Sequence, residues 1–508
     1  MSVEPRGSGA DQGETDARRA LRRGVYLLLA ALSLGNAVGR LLAVDSVNRA
    51  EAEKRAVSVR LDSLARKLAA DGLAPDEVAA ELERKRPEVE REERLMRPFL
   101  SANDRSRWLA IRALVDHGQF EIDPLLDRRV WNTIDMVQHR SRDGELHLYS
   151  SKPPLSYLPT AGVYWLVKHA AGWTLADEPH AVVRLVVAIV NVVPLMLLIG
   201  VAAALAERFG ATDWGRMFVV AAAALGTMHS AFVVVLNNHL HGALFAAIAL
   251  YAVVRIVADG DERLRWFALA GAAAALTAAH ELPALSLTAV VGVGLLWLNP
   301  RATLQGFAPA AVVVAAAFFG TNYAAHASWR PPYAHRSVTD PEDNWYDYSY
   351  DLEGRTIDSY WRNPQGIDRG EPSRAAYAFH CLVGHHGVFS LTPVWLLSMF
   401  GLALWLRGDD RFGRAAAAAI MLLTLVCLAF YISRPLGDRN YGGMTSGLRW
   451  MFWFSPLWLW AMIPAADRLC RSRTAQAFGA TLLAISVLSA SYPTWNPWVM
   501  PWLVEQVR

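Results

Sequence analysis

Long apolar runs, separated by short basic segments, follow one another along most of this chain. From Val182 to Leu488 these runs are rich in Ala, Val and Leu. Stretches of about 18 or more apolar residues are typical of helices that cross a bilayer. The pattern therefore predicts an all-α polytopic membrane protein with about 11 spanning helices. The predicted spans are 24–44, 181–206, 216–236, 240–258, 266–281, 283–298, 305–325, 388–406, 413–432, 449–466 and 475–491.

Basic residues indicate how the spans are oriented. Four arginines between residues 18 and 23 precede the first span. Because Lys and Arg concentrate in cytoplasmic loops, the N-terminus is predicted to be cytoplasmic, in the inner membrane of a cell. The short loops that then fall inside also carry arginines: Arg208, Arg216, Arg263, Arg265, Arg301, Arg407, Arg411, Arg414, Arg468, Arg471 and Arg473.

This orientation gives two long outer loops and a short outer tail. Residues 154–171 are apolar enough to span, but a span there would invert every later loop, so we predict an interfacial helix. The predicted segments are a disordered cytoplasmic tail (1–23), the first transmembrane helix (24–44), an outer loop (45–180), transmembrane helices 2–7 (181–325), an outer loop (326–387), transmembrane helices 8–11 (388–491) and an outer C-terminal tail (492–508).

Residues 46–97 differ in composition from the rest of the first outer loop. They carry dense mixed charge with apolar residues at helical spacing, and Asp71-Gly72 interrupts that pattern. Pro75, with acidic residues in the next two positions, is a typical helix start. We therefore predict an insertion of two exposed helices. It is either a solvated hairpin without chemistry or a docking site for a partner.

The second outer loop, 326–387, interleaves aromatic with acidic residues, and Trp345 and Tyr346 lie in its first half. Aromatic faces stack on the apolar side of sugar rings, while carboxylates accept hydrogen bonds from hydroxyl groups. The loop is therefore predicted either to bind a sugar or to form a small domain whose core consists of these aromatics.

Charge and metal-ligand residues narrow the function further. A net charge of +3 gives no indication of nucleic-acid binding, and three widely spaced cysteines imply no disulfide framework. All 14 histidines, His385 and His386 among them, lie in outer loops or in the outer halves of spans. They either line a water-filled cavity or bind a metal. Because no zinc-ligand spacing is present, we predict no metal and no other cofactor.

Two segments of the first outer loop carry candidate chemistry. Asp104 stands three residues before Arg107-Trp108, and Lys152-Pro153-Pro154-Leu155 precedes an apolar run. Asp104 is suited to accept a proton, or alternatively to cap its helix. Lys152 is suited to bind an anion, since the two prolines fix its direction, or alternatively to anchor the loop at the membrane interface.

In their order, spacing and predicted side, these segments resemble the GT-C glycosyltransferases, in particular the protein O-mannosyltransferase and aminoarabinose-transferase group. The resemblance implies a GT-C-like bundle with interfacial helices. It also implies transfer of a sugar from a polyprenyl-phosphate donor to a lipid, glycan or protein acceptor at the outer face of the bilayer. Asp104 then corresponds to the catalytic aspartate, and Lys152 and Arg107 to donor-phosphate ligands. The Asp-Glu pair of that group is Asp104-Arg105 here, so a divalent metal is not indicated.

Two later segments extend the resemblance. Gly447-Leu448-Arg449-Trp450 is similar to the Pro-Arg-Tyr entry to a late span, which makes Arg449 a second phosphate-binding candidate. His280-Glu281-Leu282-Pro283 stands where relatives have a Lys-Gly-Pro turn, with a His-Glu pair in place of the cation. A carboxylate at membrane depth is costly and therefore indicates function. The candidates for substrate or acceptor binding are Glu281, His280, His385, His386, Asn238, His239, Trp345 and Tyr346.

Two other functions fit part of the pattern. A catalytically inactive GT-C-like binding or assembly subunit would explain the missing second acid and the altered Lys-Gly-Pro turn. A secondary transporter would show internal repeats, broken helices and charges near the midplane. The predicted spans contain almost no such charges, so the transporter is the weaker alternative.

The topology predicts which positions face outward. Single cysteines introduced at Ser101 and Asp347 should react with a membrane-impermeant thiol reagent added outside, because both positions lie in outer loops. Single cysteines at Thr212 and Asp409 should react only after the membrane is opened. The reverse labelling would contradict the orientation and, with it, the location of the site.

Overall fold

The computed structural model describes residues 9–44, 49–93, 99–127, 130–337 and 339–507, and most of them are helical. Six helices among these residues are long and apolar enough to cross a bilayer of about 30 Å. The chain is therefore a helical, multi-pass membrane protein, as predicted. The six helices are Asp16–Ala43, Pro179–Phe209, His239–Val257, Pro300–His326, Arg411–Ser433 and Arg473–Ser491.

The other predicted spans fall on shorter helices, and the count of about 11 spans stays a prediction. The first helix, α1 (Gly9–Ala43), begins inside the predicted tail 1–23, and the disorder of that tail stays a prediction. Residues 1–8 of that tail lie outside the described residues. Arg22 on α1 binds Glu207 at 2.6 Å and Asp213 at 2.5 Å, which fastens α1 to the middle of the chain.

The charged insertion forms the two helices that its spacing predicts, α2 (Arg49–Ala70) and α3 (Pro75–Glu92). They pack on each other through a small apolar core that contains Val57, Leu61 and Val89. The ends of the predicted insertion, 46–48 and 94–97, lie outside the described residues.

The rest of the first long loop is a compact unit of helix and hairpin. It comprises α4 (Ala102–Arg112) with a π-helical turn (Ala113–His117), β1 (Met136–Arg140), β2 (Leu146–Ser150) and α5 (Leu158–Ala171). The strands are antiparallel, and Met136 pairs with Ser150. Helix α5 has 14 residues and is about 21 Å long. It is too short to span a bilayer and fits the predicted interfacial position.

The predicted span 216–236 is wrong as a single helix. The chain forms α6 (Pro179–Val187), a π-helical turn, α7 (Val193–Phe209), α8 (Asp213–Leu225), the short α9 (His229–Phe232) and α10 (His239–Val257).

Residues 233–238 are therefore not helical, and amide side chains replace the missing backbone hydrogen bonds. Asn191 Nδ2 donates to the carbonyls of Val233 at 2.9 Å and Val235 at 2.8 Å, and Asn237 Nδ2 donates to Phe232 at 2.9 Å. Irregular backbone at membrane depth is tolerated only where protein surrounds it.

The later elements complete the bundle and the second loop. They are α11 (Leu264–His280), α12 (Leu285–Leu298), α13 (Pro300–Ala302), α14 (Ala308–His326), β3 (Ser349–Leu352), β4 (Arg355–Asp358), α15 (Arg374–Leu382), α16 (Val388–Leu391), α17 (Trp395–Arg407), α18 (Arg411–Ser433), α19 (Ser455–Leu469), α20 (Arg473–Ser491) and α21 (Trp502–Val507). The predicted span 388–406 is divided between α16 and α17, and 449–466 begins as a 3₁₀ turn (Arg449–Phe454).

The second long loop packs on the β1–β2 hairpin, and the short β1–β2 and β3–β4 hairpins are minor additions to a fold that is all-α as predicted. Three hydrogen bonds join the loop to the hairpin region. Tyr348 Oη donates to the Met136 carbonyl at 3.2 Å, Trp361 Nε1 donates to the Ile134 carbonyl at 2.9 Å, and Gln138 N donates to the Trp345 carbonyl at 2.9 Å. The two long loops thus form one layer over the bundle, and we refer to that side as the loop end.

Helix α19 lies at the centre of the bundle and is in close contact with α17. At Gly401 on α17, a Cβ atom would lie 1.8 Å from the carbonyl oxygen of Ala461 on α19. Only glycine permits this approach, because the carbonyl cannot move without breaking its helix.

Gly401→Ala should therefore destabilise the protein by about 1–3 kcal/mol through overpacking. Thermal unfolding in detergent measures the effect. Gly200→Ala on α7 is the matched control: a Cβ there meets no atom within 4 Å, so removing a mid-helix glycine should be neutral or stabilising by up to about 1 kcal/mol. Equal stability of the two variants would contradict the packing described for α17 and α19.

Candidate functional site

Three basic side chains from distant parts of the chain meet at the loop end. Arg107 lies on α4, Lys152 follows β2, and Arg449 begins the turn before α19. Arg107 is 5% exposed and the Lys152 side chain 16%. Burial lowers the pKa of Lys152 to about 8, and the nearby charges of Arg107 and Arg449 add to the shift while Asp135 opposes it. The three cations therefore lie within electrostatic influence of one another.

Asp104 lies in the first turn of α4 but does not cap it. Ser101 is the cap, since its Oγ accepts from Asp104 N at 3.1 Å, so the capping alternative for Asp104 is wrong. The Asp104 carboxylate accepts the backbone N–H of Leu236 at 3.0 Å and that of Leu100 at 3.3 Å. Burial raises its pKa to about 6 against the effect of these donors. Asp104 thus ties α4 to the non-helical segment 233–238.

Arg107 is linked to Glu281 through an amide side chain. Its Nη2 donates to Asn238 Oδ1 at 2.9 Å, and its Nη1 donates to Asn103. Asn238 Nδ2 in turn donates to Glu281 Oε1 at 2.9 Å and to the carbonyl of His280 at 2.7 Å. A chain of hydrogen bonds therefore joins α4, the start of α10 and the turn after α11.

His239 continues this chain from Glu281 to Arg449. Its Nδ1 lies 2.5 Å from Glu281 Oε1, and its Nε2 lies 2.9 Å from Arg449 Nη1. Because arginine only donates, Nε2 accepts, and the imidazole proton sits on Nδ1, where it donates to Glu281. Arg449 also donates twice to the carbonyl of Gly442, at 3.0 and 2.8 Å. We call the set Arg107, Asn238, Glu281, His239 and Arg449 the polar chain.

Asp135 is a site residue that sequence reasoning missed. Its Oδ2 lies 3.2 Å from Lys152 Nζ, and its side chain is 15% exposed. Burial alone would raise the pKa of this carboxyl, but Lys152, Arg449 and Arg107 hold it below its usual range. A carboxylate therefore lies among the three cations.

A signal for Asp135 was present in the sequence. Asp143-Gly144 between runs of alternating polar and apolar residues is a typical hairpin turn. In the resulting register Met136 faces Ser150, so the preceding residue, Asp135, falls beside Ser151 and Lys152. Predicting this hairpin would have placed Asp135 next to the lysine turn.

Three predicted histidines take part only indirectly or lie nearby. His280 contributes its carbonyl to Asn238, while its ring Nδ1 lies 2.9 Å from the Leu276 carbonyl. His385 and His386 are in contact through their Nδ1 atoms at 2.5 Å. The buried His386 ring stacks on Tyr441 with centroids 4.8 Å apart, one residue before the Gly442 carbonyl that binds Arg449. His385, His386 and Tyr441 thus form a separate cluster next to the polar chain.

Trp345 and Tyr346 belong to the core of the loop layer. The Trp345 ring lies 3.5 Å from His335 and 4.1 Å from His139, centroid to centroid. Arg336 covers the ring of Tyr346 at 3.9 Å. Both rings are buried by protein, so they form part of a packed core of this loop, and substrate binding by them stays a prediction.

The structure thus brings together Arg107, Lys152 and Arg449 with three carboxylates, Asp104, Asp135 and Glu281. Within the part of the chain that the structure describes, no three or more His, Cys, Asp or Glu side chains are grouped so that they could hold a metal ion. The arrangement is suited to an anionic ligand, because buried, poorly solvated cations bind anions strongly.

Comparison with known proteins gives distant likenesses only. No family model and no curated protein matches the chain. The fold is similar to the apo oligosaccharyltransferase of Archaeoglobus fulgidus, with 15% identity and a TM-score of 0.37 over 78% of this chain and 52% of that chain. It is also similar to the oligosaccharyltransferase AglB of the same organism, in complex with an inhibitory peptide and a dolichol-phosphate, with 13% identity and a TM-score of 0.35 over 80% and 53%. The chain spans about half the length of these structures, and the arguments below rest on the site alone.

Proposed function

We propose that this chain is a GT-C-type glycosyltransferase that moves a sugar from a polyprenyl-phosphate donor to a lipid, glycan or protein acceptor. The transfer takes place at the outer face of the cytoplasmic membrane. The observation that carries the proposal is the burial of Arg107, Lys152 and Arg449 at the loop end, where the charges of both arginines act on Lys152. In such transfer the donor phosphate is the leaving group, and its charge grows as the sugar bond breaks. Preorganised cations stabilise that charge.

The arginine and the lysine are suited to different parts of phosphate binding. Arg449 is fixed by the Gly442 carbonyl and by His239, so its fork has a set direction and can grip two oxygens. Lys152 supplies a compact charge beside the stiff Pro153-Pro154 turn. The apolar helices beside the loop end supply a surface for the lipid tail of the donor.

Asp104 is the proposed base. A pKa of about 6, raised by burial, is closer to neutral pH than that of a free carboxyl, and general bases work best with a pKa near the operating pH. Each carboxylate oxygen accepts one backbone N–H, which leaves lone pairs for an acceptor hydroxyl. In this arrangement the acceptor oxygen forms a bond to the sugar carbon, the bond from that carbon to the phosphate oxygen breaks, and Asp104 accepts the hydroxyl proton while the polyprenyl phosphate leaves.

Glu281 is proposed to act on the acceptor side. It stands where relatives have a cation, and it receives hydrogen bonds from Asn238 and His239. Through Asn238 and His239 it links Arg107 to Arg449 when no donor is bound. Because Arg107 and Arg449 both connect to it through single side chains, a change at Glu281 moves both cations.

A second candidate function is an inactive binding subunit with the same pocket. It is favoured by one observation: Asp104 is 2% exposed and already bonded through both oxygens. Such a protein would bind the donor without transferring its sugar. Measuring donor binding and transfer on the same purified protein separates the two functions.

Asp104→Asn should reduce sugar transfer by about 100-fold or more, because it removes the proton acceptor at nearly constant size. In the parent protein, turnover should fall as the pH drops through about 6, where Asp104 takes up a proton. The measurement is transfer by purified protein in lipid between pH 5 and 8.

Ser101→Ala is the matched control for this experiment, because it removes the helix cap while leaving the carboxylate. It should cost about 1 kcal/mol of stability and leave the pH profile unchanged. Normal turnover by Asp104→Asn would show that Asp104 only ties α4 to residues 233–238.

Lys152→Ala should weaken donor binding about 10–100-fold and lower turnover, since a hydrogen bond to a charged group contributes about 1.5–3 kcal/mol. Lys152→Arg should keep part of the binding. Arg449→Lys should be tolerated less well, because a point charge does not replace a fork that grips two oxygens. Binding of polyprenyl-phosphate sugar to purified variants in lipid checks all three.

Lys168→Ala provides the control for charge alone. Lys168 lies in the same loop and pairs with Asp116 at 2.9 Å, away from the three cations. The Lys168→Ala variant should bind the donor like the parent protein. Unchanged binding by both Lys152→Ala and Arg449→Ala would place the phosphate site elsewhere, with the histidines His280, His385 and His386 as the next candidates.

A further inference from the structure

The backbone of Asp135 is held rigidly between α4 and the lysine turn. Its carbonyl accepts from Ser106 Oγ at 2.5 Å and from Ser151 N at 3.2 Å. Its own N–H donates to Thr133 Oγ1 at 3.1 Å, and Ser106 Oγ also contacts Ser150 Oγ at 2.7 Å. The position from which the carboxylate reaches into the pocket is therefore fixed.

The Asp135 side chain, in contrast, is held by a single contact. Among the described residues, Lys152 Nζ at 3.2 Å is the one hydrogen-bonding or ion-pair partner of this carboxylate. The neighbouring pair in the same loop is built differently. Asp116 binds Lys168 at 2.9 Å, Tyr164 Oη at 2.9 Å, and lies 3.8 Å from Arg112. Asp116 is locked in place, whereas Asp135 can exchange its one partner.

The position of this carboxylate coincides with the place a phosphate must take. A phosphate that contacts Lys152 Nζ must take the place that the Asp135 carboxylate now holds 3.2 Å from that atom, on a side where the charges of Arg107 and Arg449 also act on the carboxylate. Two anions cannot share one lysine at close range without strong repulsion. Without any anion, however, Lys152 would be a buried and uncompensated charge, which is strongly destabilising.

We infer that Asp135 is a positioning residue that stands in for the donor phosphate: it holds Lys152 in place in the empty enzyme and gives the lysine up when the donor binds. This inference rests on the proposed function. It makes Asp135 an internal competitor of the donor, and part of the donor's binding energy is spent on separating Asp135 from Lys152.

The test is the affinity for polyprenyl monophosphate, a probe without sugar, measured on the full-length protein in lipid nanodiscs. Asp135→Asn keeps the shape of the side chain but removes the competing charge, and it leaves Lys152 without a counterion until the probe binds. It should therefore bind the probe about tenfold more tightly than the parent protein. A purely structural role for Asp135 predicts the opposite, because loss of the pair would disorder Lys152 and weaken binding.

Three further variants make the result specific. In a Lys152→Ala background, Asp135→Asn should bring a clearly smaller gain, since the competition for Lys152 no longer exists and only the direct repulsion between Asp135 and the phosphate is relieved. Asp116→Asn should bring no gain, because its pair lies apart from the three cations. Asp135→Glu keeps the charge and the fold, and its longer side chain competes more strongly, so it should bind the probe several-fold more weakly than the parent.

The outcomes separate this inference from the function on which it rests. If the parent protein does not bind polyprenyl monophosphate, the proposed function and the inference both fail. If the parent binds but Asp135→Asn binds with equal or lower affinity, the inference alone fails. Should Asp135→Asn not fold, Asp135→Glu decides: affinity equal to or higher than that of the parent overturns the competition.

Discussion

The architecture of the loop end depends on one interaction, the buried polar chain that runs from Arg107 through Asn238, Glu281 and His239 to Arg449. Each member has its hydrogen-bonding groups directed at the next. A buried charge without a partner costs several kcal/mol, so no member can be removed without exposing its neighbours to that cost. The chain therefore fixes four segments of the protein relative to one another.

The broken helix at 226–238 follows from the same requirement. A continuous helix would carry Asn238 and His239 away from Arg107 and would bury the N–H of Leu236, which now binds Asp104. Breaking the helix frees backbone carbonyls, and Asn191 and Asn237 bind them. Polar side chains inside the apolar region thus stabilise the non-helical backbone, and this backbone in turn positions the residues of the candidate site.

Much of this architecture could be predicted from sequence, because its signals are local. Apolar runs predict helices, and Asp71-Gly72 with Pro75 predicts the division of the inserted hairpin. Lys152 and Arg449 can be proposed from sequence because each lies in a recognisable segment before an apolar run. The prediction of a single span at 216–236 is wrong because Gly226, Asn191 and Asn237 permit a break in the helix without changing the hydropathy of the run.

What could not be predicted depends on pairing between distant residues. Trp345 and Tyr346 have the composition of a sugar-binding surface, and only their contacts with His335, His139 and Arg336 show that they are a core. The role of Asp135 depends on the hairpin register, which no single residue reveals. Contacts that are far apart in sequence leave no periodic signal.

The long sequence separations within the polar chain also determine when during synthesis the site can form. Arg107 and Asn238 are 131 residues apart, and His239 and Arg449 are 210 apart. A chain that is inserted from its N-terminus therefore carries Glu281 and His239 into the membrane well before Arg449 has been made. We expect the first half of the bundle to remain loosely packed at the loop end until then. Formation of the hydrogen bond between Arg449 and His239, which completes the polar chain, would then be the step that converts the inserted polypeptide into a folded protein.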